Sequence, residues 1–239
     1  MSLSIILPAY KEAENLAALL PQIKDVLKQM PVDSEVLVVD TMKPADNAKS
    51  VCESNGCTYV NRTGGNDYGD AMRTGFSLAR HEWILVMDAD GSHNPEDIPR
   101  LYQEAQNGYD LVIGSRYIEG GNSHNGIILK MMSYTVNLIY RIAFRIKLKD
   151  ISNSFRIYKA DKLKAITLEC SNFDIVEEIL IRLNLKFGGL NAKEIPVYFS
   201  KRIHGKSKRD LLRFVFSYIS TISKLLKISR QEKRAQKQK

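Results

Sequence analysis

The chain has 239 residues, of which 44% are hydrophobic and 26% charged, a composition that is ordinary for a soluble globular protein. The length allows one large domain with a core or two small ones. Its three cysteines, Cys52, Cys57 and Cys170, are too few and too irregularly spaced for a disulfide framework or a zinc site. Residues 1–3 show no signal peptide, so we expect a protein of the reducing cytoplasm.

The net charge of +8 is unevenly distributed along the chain. Residues 201–239 contain 13 Lys and Arg against Asp210 and Glu232, a net charge of +11, whereas the first 200 residues carry −3. A basic segment on a nearly neutral body indicates an anionic partner, either membrane phospholipid or nucleic acid. We expect residues 229–239 to form a disordered basic tail.

Strand-like and helix-like stretches alternate through the first half of the chain. Strands are predicted at 3–8, 35–40, 57–61, 83–87 and 110–114, and helices at about 16–27, 48–54, 68–79 and 95–107. This alternation predicts an α/β fold with a mostly parallel sheet, in which ligands bind at the carboxyl ends of strands. Pro8, Asp40, Asp88, Asp90 and Arg116 all fall at such ends.

The pattern changes after Gly120 and Gly121. We predict a helix at 127–147, a strand at 154–158, a helix at 173–185, a strand at 192–200, a basic loop at 201–208 and an amphipathic helix at 210–228. Lys and Arg residues interrupt both apolar stretches, 127–146 and 211–228, so we expect no transmembrane helix. The helix 210–228 has the pattern either of a bilayer-surface helix or of one that completes the core.

The buried strand at 83–87 leads directly into Asp88-Ala89-Asp90. Two carboxylates at an exposed strand end can hold one divalent cation whose other ligands are water and substrate phosphates. A nucleotide-sugar enzyme needs such a cation on the departing diphosphate. The same tripeptide also occurs as an ordinary strand end before a helix cap.

Lys130, Ser133 and Asn137 share one face of the helix predicted at 127–147. A cation, a hydroxyl and an amide in a row are typical of a phosphate-binding stripe. They are equally typical of the solvated face of an amphipathic helix, and spacing alone does not separate the two interpretations.

Eight short motifs extend over about residues 3–228, nearly the whole chain. They are PAYKEAEN (8–15), VVD (38–40), GDAMRTGF (69–76), MDADGSHNPEDIP (87–99), IGSRYIEGG (113–121), SNSFRIYKAD (152–161), NFDIVEEIL (172–180) and EIPVYFSKRIHGKSK (194–208). In sequence and order they resemble those of family 2 glycosyltransferases of GT-A fold, and within that family the polyprenyl-phosphate (dolichol-phosphate) mannose synthases. The resemblance implies a Rossmann-like glycosyltransferase domain over 1–208, with a nucleotide-binding half at about 1–120 and an acceptor half at about 121–208.

The resemblance also implies roles for individual residues. Asp88 and Asp90 would hold Mg²⁺ or Mn²⁺ with the donor diphosphate, and Arg116 and Arg202 would complete the catalytic set. The donor, GDP-mannose in preference to a UDP-sugar, would lie against Pro8, Ala9, Tyr10, Glu12, Asp40, Ala71, Asp88, Ala89, Asp90 and Lys208. The acceptor phosphate would lie against Arg116, Lys130 and Ser133.

Two departures from the family pattern bear on the donor. The family usually has a second acid and a glycine-serine turn after the second strand, where this chain has Thr41-Met42-Lys43-Pro44. Relatives often have a glutamine where this chain has Ser92, which is a poorer ligand.

Sugar transfer to a hydroxyl needs a general base, whereas a polyprenyl phosphate is already ionised and needs cations instead. We therefore expect an inverting transfer of a hexose, mannose in preference to others, to polyprenyl phosphate at the cytoplasmic membrane surface, with room for a membrane-embedded partner subunit. A transferase for hydroxyl acceptors, with Glu177 or Glu178 as base, and a nucleotide-binding module without catalysis stay as alternatives. A nucleic-acid partner is not expected, because no aromatic residues interleave with the basic residues of the tail.

Overall fold

Nine strands and eight helices form over residues 2–205 and 220–231, the part of the chain that the computed structural model describes. The strands are β1 (Ser2–Pro8), β2 (Asp33–Asp40), β3 (Thr58–Asn61), β4 (Trp83–Val86), β5 (Leu111–Ser115), β6 (Asn122–Ser123), β7 (Arg156–Lys159), β8 (Ala192–Pro196) and β9 (Tyr198–Phe199). The helices are α1 (Ala13–Lys28), α2 (Ala48–Ser54), α3 (Tyr68–Leu78), α4 (Ile98–Gln106), α5 (Ile127–Phe144), α6 (Ala160–Lys164), α7 (Ile175–Lys186) and α8 (220–231).

Seven of the strands form one sheet in the order β3-β2-β1-β4-β7-β5-β8, and β6 pairs with β9 in a separate two-stranded sheet. In the large sheet β7 is antiparallel to its neighbours β4 and β5, while the other pairs are parallel. Because β7 runs in the opposite direction, the residues that precede it lie at the carboxyl ends of β4 and β5. The fold thus brings residues 150–154 to the edge where ligands bind in α/β sheets.

Helices cover both faces of the central strands, which explains why these strands are continuous apolar runs. Alternate residues of β4 point into opposite layers: Leu85 packs in the layer with α1 and α4, whereas Ile84 and Val86 pack in the layer with α3, α5 and α7. All three side chains are fully buried. Burial on both sides fixes the strand in the sheet and so fixes where Asp88 emerges.

The alternating first half agrees with its sequence-based prediction to within a few residues, and three differences concern individual elements. The single strand predicted at 192–200 divides at Val197. The Val197 N–H still donates to the Ser115 carbonyl of β5, but its carbonyl accepts the N–H of Asn122, so from here the chain pairs with β6 in the small sheet. The helix predicted from residue 95 begins as a 3-10 turn, Pro95–Asp97. The short elements β6 and α6 were not predicted from the sequence.

The C-terminal amphipathic helix, expected at 210–228, falls partly outside the described residues, as does most of the expected tail. Over 220–231 the chain is helical, so the helix extends three residues into the segment expected to be disordered. Leu225 is fully buried in the layer that contains α7, and the Thr221 hydroxyl donates to the Asp174 carboxylate. The described part of this helix therefore packs on the core.

Candidate active site

A cleft of about 830 Å³ opens at the carboxyl ends of β1, β4 and β5. The other walls come from residues 62–68, residues 124–125 and the first turns of α5, residues 152–154 before β7, residues 172–176 and the segment 199–205. Of the residues that the sequence singled out, the cleft is lined by Pro8, Ala9, Tyr10, Glu12, Asp88, Ala89, Asp90, Arg116, Ser133 and Arg202. Residues from distant parts of the chain thus meet in one site.

Asp88 and Asp90 both face the cleft, and each accepts hydrogen bonds from a serine. The Ser154 hydroxyl donates to Asp88 Oδ1 at 2.9 Å, and the Ser92 hydroxyl and backbone N–H donate to Asp90 Oδ1 at 2.6 and 3.0 Å. Neither serine bonds to the second carboxylate oxygen, and Asp90 Oδ2 lies 3.8 Å from Arg202 Nη2. The described residues contain no cluster of three or more His, Cys, Asp or Glu side chains able to hold a metal, so a divalent cation here would take its other ligands from phosphate and water.

His93 braces the loop that carries the two aspartates. Its Nδ1 accepts the backbone N–H of Asp88 at 3.0 Å, which requires the neutral ring with its proton on Nε2. Nε2 lies 3.1 Å from Asn153 Oδ1, and the ring stacks on Phe155 at 4.7 Å between centroids. The side chain is almost completely buried and is not among those that line the cleft, so its contacts support the loop.

Arg116 is held at the opposite end of the cleft by Asp150. Its Nε and Nη2 donate to the two oxygens of that carboxylate at 2.8 Å each, and Asp150 is fully buried. Burial raises the pKa of the Asp150 carboxyl, but the charge and hydrogen bonds of Arg116 outweigh this effect and hold that pKa below its usual 3.8. Arg116 Nη2 also lies 3.0 Å from Ser152 Oγ and 3.4 Å from Ser133 Oγ. This end of the cleft therefore presents a fixed guanidinium beside two hydroxyl groups.

Arg202 lies with the acidic residues at the other end. Its Nη2 is 2.7 Å from Glu12 Oε1 and 3.8 Å from Asp90 Oδ2. The loop that carries it is attached to the aspartate loop, because Ile203 N–H donates to the Asp90 carbonyl at 3.0 Å. The guanidinium offsets part of the negative charge where a cation and a diphosphate would bind.

The model of the family "Glycosyl transferase family 2" matches residues 4–167. A dolichol-phosphate mannosyltransferase of Pyrococcus furiosus is 32% identical over an alignment of 236 residues, which covers 95% of this chain and 64% of that protein's length. An undecaprenyl-phosphate mannosyltransferase of Micrococcus luteus is 36% identical over an alignment of 219 residues, which covers 87% of each chain. The chain belongs to glycosyl transferase family 2.

Solved structures support the same fold. Mannosyl-3-phosphoglycerate synthase from Rubrobacter xylanophilus superposes with a TM-score of 0.78 at 19% identity, over 98% of this chain and 75% of that one. Glucosyl-3-phosphoglycerate synthase from Mycobacterium tuberculosis, in complex with Mn²⁺, UDP-glucose and phosphoglyceric acid, gives 0.74 at 16% identity, over 94% and 79%. At these identities the likeness concerns the GT-A fold alone, and it confirms the fold expected from the sequence.

Not every residue predicted for the donor site lines the cleft of this glycosyltransferase. Asp40 is buried, with Oδ1 accepting the Thr41 N–H at 2.7 Å and Oδ2 accepting the Tyr59 hydroxyl at 3.0 Å. Ala71 is fully buried in α3 and packs in the core. Neither side chain is among those that line the cleft, and Lys208 lies outside the described residues.

The loop after β2, which departs from the family pattern, binds the N-terminal ends of two helices. Asp46 Oδ2 accepts the N–H of Ala13 at 2.9 Å and its Oδ1 accepts the N–H of Ala48 at 3.0 Å. One carboxylate therefore satisfies orphan N–H groups at the start of both α1 and α2. These two bonds attach the loop to both helices.

The stripe on α5 divides between two roles. Ser133 lines the cleft, whereas Lys130 Nζ bonds to Asn122 Oδ1 at 3.1 Å and does not line it. Asn137 is buried, and its Oδ1 accepts the Ile151 N–H at 3.0 Å. Asn137 supports the loop before β7, so neither of the two interpretations of the stripe, a phosphate-binding face or a solvated face, applies to Asn137.

Glu177 and Glu178 are fully buried in α7, and neither lines the cleft. The Glu178 carboxylate accepts the N–H groups of Glu169 and Cys170 and pairs with Arg182 Nε at 2.8 Å. The suggestion that one of the two glutamates acts as a base in the cleft is therefore wrong for this structure.

Sequence reasoning missed four residues that shape the site: Arg62, Asp150, Ser152 and Ser154. Arg62 lines the cleft, and its guanidinium donates to the carbonyls of Ala9, Asp40, Asn66 and Asp67. Ser152 and Ser154 fall inside the SNSFRIYKAD motif, but nothing in that motif says which residue points into the cleft. Only the position of β7 in the sheet provides that information.

Proposed function

We propose that this glycosyltransferase moves mannose from GDP-mannose to a polyprenyl phosphate at the cytoplasmic surface of a membrane. The observation that carries the proposal is the end of the cleft at Arg116, where a fixed guanidinium and the hydroxyls of Ser133 and Ser152 come together. Of the described residues, the carboxylates that line the cleft, Glu12, Asp67, Asp88 and Asp90, belong to the aspartate loop or to the segments after β1 and β3. No carboxylate of the described residues therefore lines the cleft beside Arg116, and a phosphate acceptor needs no base.

In the proposed reaction an oxygen of the acceptor phosphate attacks the anomeric carbon of the sugar. The bond from that carbon to the diphosphate breaks, and the nucleoside diphosphate leaves with the electron pair, so the configuration inverts. Asp88 and Asp90 would hold the divalent cation, Mg²⁺ or Mn²⁺, which when bound offsets the charge of the leaving diphosphate. Arg116 and its two serines orient the acceptor phosphate, and Arg202 lowers the repulsion between the two anionic substrates.

The names of the relatives support this substrate class. Proteins at 32% and 36% identity over most of this chain are named for mannose transfer to dolichol phosphate and to undecaprenyl phosphate. The Mn²⁺ in the M. tuberculosis complex supports a divalent cation in a cleft of this fold. GDP as the nucleotide is our inference from the resemblance to mannose synthases.

Transfer of labelled mannose tests the proposal directly. We expect radiolabel from GDP-mannose to enter the organic phase when undecaprenyl phosphate and Mn²⁺ are present, and not when the unphosphorylated polyprenol replaces it. This matched pair of acceptors differs only in the phosphate, so label on the polyprenol would favour a hydroxyl acceptor. Absence of transfer from GDP-mannose and UDP-glucose alike, with nucleotide binding retained, would favour a binding module.

Helix α5 is the surface that we propose to face the bilayer. Among the described residues it is the one helix that is long and apolar enough to cross a membrane by length and composition alone, contrary to the expectation from its Lys and Arg residues, and only 17% of it is buried. Its exposed apolar residues are Ile127, Ile128, Leu129, Met131, Tyr134, Leu138, Ile139 and Ile142. Tyr140 and Phe144 on its other face pack in the core, so the helix would lie along the bilayer surface.

Charge and position support the same orientation. Residues 122–149 contain five Lys and Arg and no acidic residue, which favours an anionic lipid surface at about 1 kcal/mol per basic residue. Leu129, Met132 and Ser133 of α5 also line the cleft. A lipid-borne phosphate could therefore enter the cleft beside the helix that contacts the membrane.

Replacing Ile128 and Ile142 together by Glu should weaken vesicle binding at least about tenfold, because both side chains are more than 70% exposed and would lose their burial in lipid. Co-sedimentation with vesicles of phosphatidylcholine and phosphatidylglycerol measures the effect. Leu78→Glu, at the exposed end of α3, is the matched control. Equal binding of the double variant and the wild type would show that α5 is not the membrane surface.

A further inference from the structure

The loop of residues 150–154 lies between the two ends of the cleft because of the register of β7. Arg156 pairs with Val86 on β4 and with Ile113 on β5. Continued towards the cleft, these antiparallel registers place Ser154 level with Asp88 and Asn153 level with Arg116. One short loop thus lies beside both the aspartate loop and Arg116.

Two residues of the loop contact Arg116. The Asp150 carboxylate accepts Nε, Nη2 and the backbone N–H of Arg116 at 2.8 to 2.9 Å. Ser152 Oγ lies 3.0 Å from Arg116 Nη2 and 3.1 Å from Ser133 Oγ, and Ser152 lines the cleft. Ser152 therefore occupies one corner of a triangle of polar groups that an anion in the cleft would meet.

The other two polar residues of the loop, Ser154 and Asn153, contact Asp88 and His93. The Ser154 hydroxyl donates to Asp88 Oδ1 at 2.9 Å. Asn153 Oδ1 accepts Nε2–H of His93, whose Nδ1 in turn accepts the Asp88 backbone N–H. Asp88 is therefore held from this loop at its side chain directly and at its backbone through one histidine.

Neighbouring elements hold the loop itself in place. The Glu194 carboxylate accepts the N–H groups of Lys149 and Asp150 at 2.8 Å each, and Asn137 Oδ1 accepts that of Ile151 at 3.0 Å. Asn153 Nδ2 donates to the Gly114 carbonyl. With bonds to β8, α5 and β5, the loop has little freedom to change the spacing of the groups it carries.

We propose that loop 150–154 is a two-sided element in which Ser152 binds the acceptor phosphate directly and Ser154 positions Asp88 for the divalent cation. This inference rests on the proposed function. It assigns the acceptor phosphate to Ser152 and the cation of the donor diphosphate, through Asp88, to Ser154. Asp150 is a positioning residue that acts through Arg116. The loop thereby fixes the distance between the attacking phosphate and the cation on the leaving group.

Ser152→Ala and Ser154→Ala make the same chemical change on the same loop and serve as controls for each other. With a water-soluble short-chain prenyl phosphate as acceptor, Ser152→Ala should raise the KM for that acceptor about tenfold, because a hydrogen bond to a charged group is lost. It should leave the Mn²⁺ concentration for half-maximal stabilisation of the GDP complex unchanged. Ser152→Thr retains the hydroxyl and should restore the acceptor KM.

Ser154→Ala should change the Mn²⁺ dependence and leave the acceptor KM nearly unchanged. The Mn²⁺ concentration needed for half-maximal thermal stabilisation in the presence of GDP should rise about tenfold, because an outer hydrogen bond to a metal ligand is removed. The KM for the prenyl phosphate should change by less than about twofold. The thermal-shift measurement requires no turnover, so it reports on Asp88 even where activity is low.

The two readouts together decide the inference. Equal changes in acceptor KM and Mn²⁺ dependence for both variants would mean that the serines only stabilise the loop, and would overturn it. No change for either variant, in a wild type that transfers mannose to the prenyl phosphate, would also overturn it. A wild type that binds Mn²⁺ and GDP but transfers no sugar to any prenyl phosphate would instead refute the proposed function.

Discussion

Asp90→Asn should reduce sugar transfer by at least about a thousandfold, which corresponds to about 4 kcal/mol of lost transition-state stabilisation. The substitution keeps an oxygen for the Ser92 hydroxyl and N–H but removes the negative charge that the cation needs. The fold should be retained, because Asp90 is only partly buried and the backbone bond from Ile203 to its carbonyl is untouched. Steady-state transfer of labelled mannose measures the loss.

A thermal-shift series separates loss of the cation from loss of the fold. Without ligand, the unfolding midpoint of Asp90→Asn should match that of the wild type. GDP with Mn²⁺ at a hundredfold excess over Kd should stabilise the wild type by about 2.7 kcal/mol and the variant far less. Asp25→Asn, on the exposed face of α1, is the matched control and should behave as the wild type in both assays. Substantial turnover by Asp90→Asn would contradict the role of the Asp88–Asp90 pair.

The amino-acid sequence was sufficient to predict the first half of the fold and the edge at which the site forms. Apolar runs such as 83–87 are long and uninterrupted, and parallel strands bring their carboxyl ends together whatever their order. The positions of Asp88, Asp90 and Arg116 in the cleft follow from that rule. Strand order does not follow, because a short strand such as β7 carries no local signal of its direction or of its neighbours.

The unpredicted features of the site all depend on that missing information. The insertion of β7 between β4 and β5 is what brings Asp150 to Arg116 and Ser154 to Asp88. Asp40 was expected at the nucleotide, but its two oxygens bond to Thr41 and Tyr59. Periodicity identifies a helix as amphipathic without saying what covers its apolar face, which is why α5 rather than the described part of α8 proves to be exposed.

The ion pair between Arg116 and Asp150 suggests a change with a large effect on stability. Asp150 is fully buried, and the Arg116 side chain is 8% exposed. Removing one partner of such a pair leaves the other as an uncompensated buried charge, which costs about 3–5 kcal/mol. Asp150→Ala should therefore lower the free energy of unfolding by about that amount at pH 7, as measured by urea denaturation. Asp25→Ala removes a carboxylate from an exposed pair with Lys28 and should leave the denaturation midpoint almost unchanged.

The pH dependence of this loss distinguishes the charge of Asp150 from the volume of its side chain. Because Arg116 holds the pKa of the Asp150 carboxyl below 3.8, ionised Asp150 stabilises the fold fully above that pH. As the pH falls through 3.8 towards the lowered pKa, the unfolded chain takes up the proton first and the stabilisation disappears. Asn has nearly the same volume as Asp. The difference in the free energy of unfolding between the wild type and Asp150→Asn should therefore be constant from pH 7 to about 5 and decrease below 3.8. A difference that stays constant down to pH 3 would show that the stabilisation comes from packing and hydrogen-bond geometry, and that Arg116 is held in the cleft without the charge of Asp150.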